Sequence, residues 1–292
     1  QKHQSDNINN LNKPEETKMK KVAVITGAGG VICSTFAKAM AENGYAVALL
    51  DLNGEAAEKV AKEIRENGGE AAAYSANVLD KEILESIHEQ IKKDLGECTV
   101  LINGAGGNSP KCTTAHETFE KGDEAADDIK TFFNLDKAGF DFVFSLNLMG
   151  SLLPTQVFAK DMLGKEGCSI INISSMNAFR PLTKIPAYSA AKAAVSNFTE
   201  WLAVHFAEEG IRVNAIAPGF FVTNQNRAML FNEDGTPTPR TGKILAATPM
   251  KRFGEVSELV GTLLWLTDPK ASGFVTGIVV PVDGGFSAYS GV

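Results

Sequence analysis

The sequence is poor in the residues that build metal centres and disulfide frameworks. Its 292 residues include four cysteines and four histidines. Cys33, Cys98, Cys112 and Cys168 form no C-x-x-C pair, and all but Cys112 fall in or beside expected core elements. That pattern argues against a disulfide scaffold and reads as the reduced thiols of a cytoplasmic protein. His3, His88, His116 and His205 are scattered without ligand spacing, so no metal site is expected. Positive charge is also short: 28 Lys and Arg against 35 Asp and Glu leave a net charge of -7. A nucleic-acid partner usually needs a basic surface, so none is expected, and an anionic substrate must be held by local cations. No apolar run approaches a membrane span and no signal-type apolar segment precedes the first strand, so no membrane partner is expected. Internal repeats and linkers are absent as well.

What remains is ordinary globular material, 44% hydrophobic and 22% charged. Residues 1–18 are polar and aperiodic and read as a flexible N-terminal tail. From residue 19 to 292, short β-branched apolar runs alternate with amphipathic stretches, and we read one domain. Strands are expected at 21–25, 46–50, 71–75, 99–102, 169–173, 212–216 and 278–281. Alternation of this kind predicts right-handed crossovers and an α/β fold, a parallel sheet with helices on both faces.

Gly27 to Gly30 form a glycine turn between the first strand and an amphipathic stretch that opens at Val31, Ile32 and Cys33. Such a turn offers backbone N–H groups and a positive helix end to a phosphate. About twenty residues later the second strand ends in Asp51, placed to accept hydrogen bonds from an adenosine ribose and to repel a 2′-phosphate. The competing reading makes Asp51 a helix cap, since Leu52, Asn53 and Gly54 follow. The third strand runs out at Asn77 and Val78; the fourth ends in Asn103-Gly104-Ala105-Gly106-Gly107, where a flat ligand can approach the backbone.

Residues 108–135 interrupt the alternation at a strand's carboxyl end and read as a substrate-side insertion. A long helix is expected from Asp136 to Leu163, with Asn147 a poor interior residue and Pro154 a kink or an edge. Residues 224–245 are rich in Pro, Gly and polar side chains and read as a lid.

The chemistry concentrates after the fifth strand. Tyr188 and Lys192 stand at i and i+4 of an Ala-rich helix, and Ser175 closes the strand before it. A lysine one turn away is expected to favour the phenolate and lower the tyrosine pKa. A serine hydroxyl beside them can orient a carbonyl or alcohol oxygen. Together they can move a proton to or from an oxygen while something else moves a hydride.

With Thr26-Gly27, Asp51, Asn103-Gly104-Ala105-Gly106, Asn147, Ser175, Tyr188, Lys192, Pro218-Gly219 and Thr223 in order, residues 20–290 resemble the short-chain dehydrogenase/reductase family. The resemblance implies a Rossmann, doubly wound, seven-stranded parallel sheet, an NAD(H) cofactor and a homotetramer. It assigns catalysis to Asn147, Ser175, Tyr188 and Lys192, with Asn147 holding a water in a proton relay. It assigns cofactor contacts to Gly27, Gly30, Val31, Ile32, Asp51, Leu52, Asn77, Val78, Asn103, Gly104, Ala105, Tyr188, Lys192, Pro218, Gly219, Phe221 and Thr223. Three departures stand out. Val31 and Cys33 fill the last two glycine positions of the family's turn: the small Cys33 implies a modest shift of the helix, and Val31 puts a side chain where the backbone approaches pyrophosphate. Asn77 stands where an aspartate usually reads adenine, its amide oxygen still able to accept. Gly104 replaces the second asparagine of Asn-Asn-Ala-Gly.

Gly-Gly-Val-Ile-Cys, the long insertion, Ser-Met-Asn-Ala-Phe-Arg-Pro and Phe-Phe-Val-Thr-Asn-Gln-Asn-Arg resemble the D-mannonate oxidoreductase (fructuronate reductase) subgroup. That implies a keto or hydroxy sugar acid as substrate. Asn108, Lys111, Asn177, Arg180, Asn226 and Arg227 are the candidate contacts, with Arg180 first choice for the carboxylate because guanidinium binds carboxylate bidentately. Two alternatives stay open: a gluconate 5-dehydrogenase or other polyol or 3-oxoacyl reductase, and a non-catalytic dinucleotide-binding regulator.

Overall fold

The computed structural model describes residues 20–125, 128–223 and 227–291. The tail at 1–18, His3 and Asn226 lie outside them. Seven parallel strands form one sheet: β1 (Val22–Thr26), β2 (Ala46–Asp51), β3 (Ala71–Ser75), β4 (Val100–Asn103), β5 (Ser169–Ile173), β6 (Arg212–Pro218) and β7 (Val279–Val282). Their spatial order is β3-β2-β1-β4-β5-β6-β7. Each strand lies within a residue or two of its expected place because the inner strands, buried on both faces, read as continuous apolar runs.

The connections are α1 (Val31–Glu42), α2 (Gly54–Glu66), α3 (Lys81–Asp94), α4 (Lys137–Phe144), α5 (Gly150–Phe158) and α6 (Pro186–His205). Beyond β6 come the short α7 (Arg227–Leu230), α8 (Pro239–Ala247), α9 (Val260–Thr267) and α10 (Pro269–Ser272). One core layer packs α1, α2 and α9 on the sheet through Phe36, Met40, Ile64 and Leu263. The opposite layer packs α3, α5 and α6 through Leu84, Ile91, Phe158 and Leu202. The strand order reverses between β1 and β4, which opens a crevice at their carboxyl ends, the place where open α/β sheets bind ligands.

Two expectations are corrected. First, Lys137–Met162 is a 26-residue helical segment apolar enough by composition to cross a membrane. It is instead the central helix of one sheet layer: half of its most apolar window is buried, and Val157, Phe158 and Met162 lie inside the core. Its irregularity falls at Ser145–Met149, a wide turn around Asn147 about two turns before Pro154, which itself sits inside α5. The Asn147 amide donates to the Val143 carbonyl four residues back at 2.7 Å, competing with the backbone ladder. Second, Cys112 is wholly buried, with Val143, Ala187 and Ala191, and the Tyr188 ring packs on that cluster.

The 108–135 insertion contains three single turns, Pro110–Cys112, Asp123–Ala125 and Phe132–Asn134. It is pinned to the loop before α6 by the Thr114 amide on the Lys184 carbonyl (2.9 Å), and to α8 by the Glu117–Lys243 ion pair (2.7 Å).

At the opposite end of the sheet, the buried Asp161 carboxylate meets the His88 ring (2.9 Å) and accepts from the Cys98 amide (2.9 Å). Burial raises this carboxyl, but the His88 and Cys98 bonds outweigh it and hold its pKa below the ordinary value. A depressed folded-state pKa adds stability above the unfolded pKa, and that stability is lost as pH falls through the folded value. Asp161→Asn is therefore expected to cost about 2 kcal/mol at pH 7. The gap to the native chain should close toward pH 2 in denaturant melts; a gap that stays constant with pH would remove the charge from the explanation.

Candidate active site

The crevice is walled by the turn after β1, the start of α1, the end of β2 and the loop after β4. Gly27 turns the chain at φ 65°, and a Cβ there would sit 2.9 Å from the Ala105 amide nitrogen. Gly30 is the N-cap of α1 and provides no side-chain acceptor for the helix's first amides. Those N–H groups face the crevice mouth, a setting suited to phosphate. Val31 is exposed at this edge, and its carbonyl accepts from the Ser34 and Thr35 hydroxyls.

The Asp51 carboxylate accepts from the Gly29 amide (2.9 Å) and the Asn53 amide (2.8 Å). The N-cap of α2 is Asn53, so the cap reading of Asp51 falls away. Leu52 is exposed beside it, and Val78 is buried under Gly150. The Asn77 amide oxygen already accepts from the Leu79 amide at 3.0 Å, which leaves one lone pair for any ligand.

Asn103 is placed differently from expectation. Its side chain points into the sheet, not the crevice, and donates to Asn172 (2.9 Å) and Thr155 (3.0 Å). Asn172 in turn donates to Thr199 on α6 (2.9 Å). This buried ladder ties β4, β5, α5 and α6 together, and only the backbone of Asn103 is near the ligand side. Thr26, which the sequence reading did not single out as a contact, holds the loop: its hydroxyl accepts from the Gly104 (3.1 Å) and Ala105 (3.2 Å) amides.

Two of the four candidate catalytic side chains, Asn147 and Lys192, meet at Gly106. A Cβ on Gly106 would lie 2.6 Å from Asn147 Oδ1 and 3.1 Å from Lys192 Nζ. The Asn147 amide also donates to the Gly107 carbonyl (2.8 Å), so the wide turn clamps the loop. Lys192, buried in α6, donates to the Ile173 carbonyl at 2.7 Å, and its ammonium lies 5.7 Å from the Tyr188 ring centre. Burial pulls the Lys192 pKa down to about 8. Burial also raises the Tyr188 phenol, and the Ser175 hydroxyl bond that lowers it does not compensate. The expectation that Lys192 depresses the tyrosine pKa is thus not met: the desolvation of both groups governs, and Tyr188 is a neutral phenol at pH 7. Of the two serines, Ser174 turns away to Ser196 (2.7 Å), leaving Ser175 beside Tyr188.

The far wall comes from β6 and the chain after it. Pro218 ends β6, Gly219 packs on Asp283, and Phe221 is buried against Gly254. The Thr223 carbonyl accepts from the Arg227 amide, starting α7. Among the proposed substrate contacts, Asn177 is buried two residues after Ser175, and its Oδ1 has no hydrogen-bond partner. Asn108, Lys111, Arg180 and Arg227 are exposed. Asn108 donates to Thr113, and Arg227 lies over the Phe231 ring. Among the described residues no cluster of three or more His, Cys, Asp or Glu could hold a metal ion.

Comparison with known proteins agrees with this geometry. The short chain dehydrogenase family matches residues 21–233. An uncharacterized oxidoreductase from Haemophilus influenzae is 64% identical over 272 residues, 93% of this chain and 95% of that relative. The Escherichia coli 5-keto-D-gluconate 5-reductase is 30% identical over 265 residues, 91% of this chain and 94% of its own. A crystal structure of a candidate D-mannonate oxidoreductase from Haemophilus influenza, with bound NAD, superposes with a TM-score of 0.90 at 62% identity, covering 94% of this chain and 98% of that one. The chain belongs to the short chain dehydrogenase family and is an oxidoreductase of alcohol and keto groups.

Proposed function

We propose that the chain is an NAD(H)-dependent oxidoreductase of sugar acids that interconverts D-fructuronate and D-mannonate. The meeting of Asn147 and Lys192 at Gly106, with the Tyr188 ring beside Lys192 and the crevice of the switch point, supports the chemistry. The similarity to the NAD-bound candidate D-mannonate oxidoreductase supports the substrate.

The crevice fits a dinucleotide. The uncapped start of α1 suits the pyrophosphate, and Asp51, already oriented by two amides, suits an adenosine ribose while repelling a 2′-phosphate. When bound, the nicotinamide supplies or takes the hydride. Everything else is done by this chain. Ser175 and Tyr188 hold the substrate oxygen, and Tyr188 in its neutral form donates the proton to it. Lys192 holds positive charge behind the phenol. Asn147, fixed by Val143 and Gly107, keeps the loop and a relay water in place. Asn177, with its unpartnered oxygen, suits a substrate hydroxyl, and the exposed Arg180, held only by a long bond to the Phe179 carbonyl, suits the carboxylate. The 108–125 and 128–135 parts of the insertion suit a substrate wall and residues 227–245 a lid, the two joined by Glu117 and Lys243; residues 224–226 of the expected lid lie outside the described residues. Four free, buried thiols suit a reducing cytoplasm. Exposed Phe142, Trp201 and Val204 on α4 and α6 suit burial in a homotetramer.

The test is NADH oxidation with D-fructuronate, 5-ketogluconate and an acetoacetyl thioester in parallel. Fructuronate is expected to turn over at least about a hundredfold faster in kcat/KM than the other two, with NADH preferred to NADPH. Turnover of 5-ketogluconate alone would replace the substrate and favour the gluconate 5-dehydrogenase reading. Preference for NADPH would remove the role of Asp51. Sedimentation of the same preparation as a monomer would remove the tetramer.

A further inference from the structure

We infer that Cys33 and Gly104 are a matched pair that sets the width of the nucleotide crevice, with Cys33 a positioning residue for the ligand's phosphate end. Cys33 is the third residue of α1 and is buried; Gly104 is the first residue after β4. A Cβ built on Gly104 would lie 2.1 Å from Cys33 Sγ, 2.8 Å from the Thr26 carbonyl oxygen and 3.6 Å from Cys33 Cβ. The thiol therefore stands in the volume that any side chain at 104 would need. The loop has no freedom to retreat, because Thr26 Oγ1 holds the Gly104 amide at 3.1 Å. On its other side, Gly27 meets the loop at Ala105. The two contacts clamp the turn after β1 and the start of α1 against the loop after β4, and these are the two walls of the crevice.

In the family pattern the bulk sits on the loop, as asparagine, and the helix position is glycine. Here the order is inverted, so two separate departures from the pattern are one exchange of volume across a single contact. The thiol acts by size and not by reactivity. Burial pushes its pKa up to about 12, with Lys192 lowering and Asp51 raising it, so it is uncharged over the working range and lies within reach of both charges. Native density leaves little slack at such a contact, and an added methyl group forces either the thiol or the loop to move.

The experiment compares the native chain, Cys33→Ala, Gly104→Ala and the double variant. Each is measured by melting temperature without nucleotide, by NADH dissociation constant from fluorescence, and by kcat and KM for NADH. Gly104→Ala is expected to melt about 4 °C lower or more and to bind NADH about tenfold more weakly, with KM moving more than kcat. Removing only Sγ clears the shorter contact, so the double variant should regain at least half of both losses, a non-additivity diagnostic of direct contact. A double variant no better than Gly104→Ala overturns the pair, as does native behaviour of Gly104→Ala. If Gly104→Ala is insoluble, a soluble double variant supports the pair and an insoluble one overturns it. Equal NADH affinity in all four proteins, despite a thermal cycle, would reduce the pair to packing and overturn the positioning role. The inference rests on the nucleotide reading of the crevice. Failure of the native chain to bind NADH would remove that reading, while the melting cycle still decides the pair.

Discussion

Tyr188→Phe is expected to lower kcat for ketone reduction about a thousandfold while leaving NADH affinity within about threefold of the native value. The substitution removes one oxygen and leaves the ring that packs on Cys112, Val143, Ala187 and Ala191. Folding and the crevice walls should therefore survive. What is lost is the neutral phenol, the donor that burial keeps protonated at pH 7. Ser175 can still hold the substrate oxygen but has no proton acidic enough to give, which leaves water as the donor. Stopped-flow or steady-state NADH oxidation checks the rate, and fluorescence titration checks binding. A rate within tenfold of native would take the proton donor away from Tyr188.

The second large effect belongs to Lys192→Met, expected to lower kcat about a hundredfold or more and to change the pH profile. The ammonium is buried, bonded to the Ile173 carbonyl and 5.7 Å from the Tyr188 ring centre, with a pKa of about 8. In the native chain its charge is present below that value and lost above it. In the proposed mechanism reduction uses a charged Lys192 and a protonated Tyr188, so its kcat should be level below pH 8 and fall above. Oxidation of the alcohol needs the phenolate, whose pKa burial has raised, so its rate should climb with pH. In Lys192→Met the break in reduction near pH 8 should vanish; a break that persists would belong to another group. Stability gives an independent sign. The folded state holds this proton less tightly than the unfolded chain, whose lysine pKa is 10.5. Between the two values the unfolded state binds more protons, so native stability relative to the methionine variant should rise from pH 8 to 10.

Much of this was legible in the residues alone. The seven strands were readable because strands buried on both faces must be apolar throughout, and the glycine turn and Asp51 fall where a strand–turn–helix–strand unit puts them. The helix repeat puts Tyr188 and Lys192 on one face, but only the other motifs along the chain single that pair out. The misses have physical causes. Asn103 sits at a strand end, where alternation does not say which way the last side chain faces; the acceptors at Asn172 and Thr155 decide it. Cys112 lies in a segment with no periodicity, and its burial depends on what α4 and α6 present to it from far along the chain. The wide turn at Asn147 comes from a side-chain bond that propensity registers only as weakness. The tyrosine pKa was misjudged because spacing reveals a neighbouring charge but not the loss of water around both groups.

The buried ladder of Asn103, Asn172, Thr155 and Thr199 also bears on how such a chain can change its habits. A slip of β5 by one residue would flip Asn172 to the other face and strand its partners among aliphatic side chains, at a cost of several hydrogen bonds. The ladder thus works as a key that admits one alignment of the two central strands and of the two helices that carry Asn147, Tyr188 and Lys192. Because that alignment is locked from within, the exposed parts of the 113–135 and 227–245 stretches are the places to rewrite for a new substrate. The Cys112 end of the insertion, packed with Val143 and Ala187 against the Tyr188 ring, belongs with the ladder and should be left alone with it in grafting experiments.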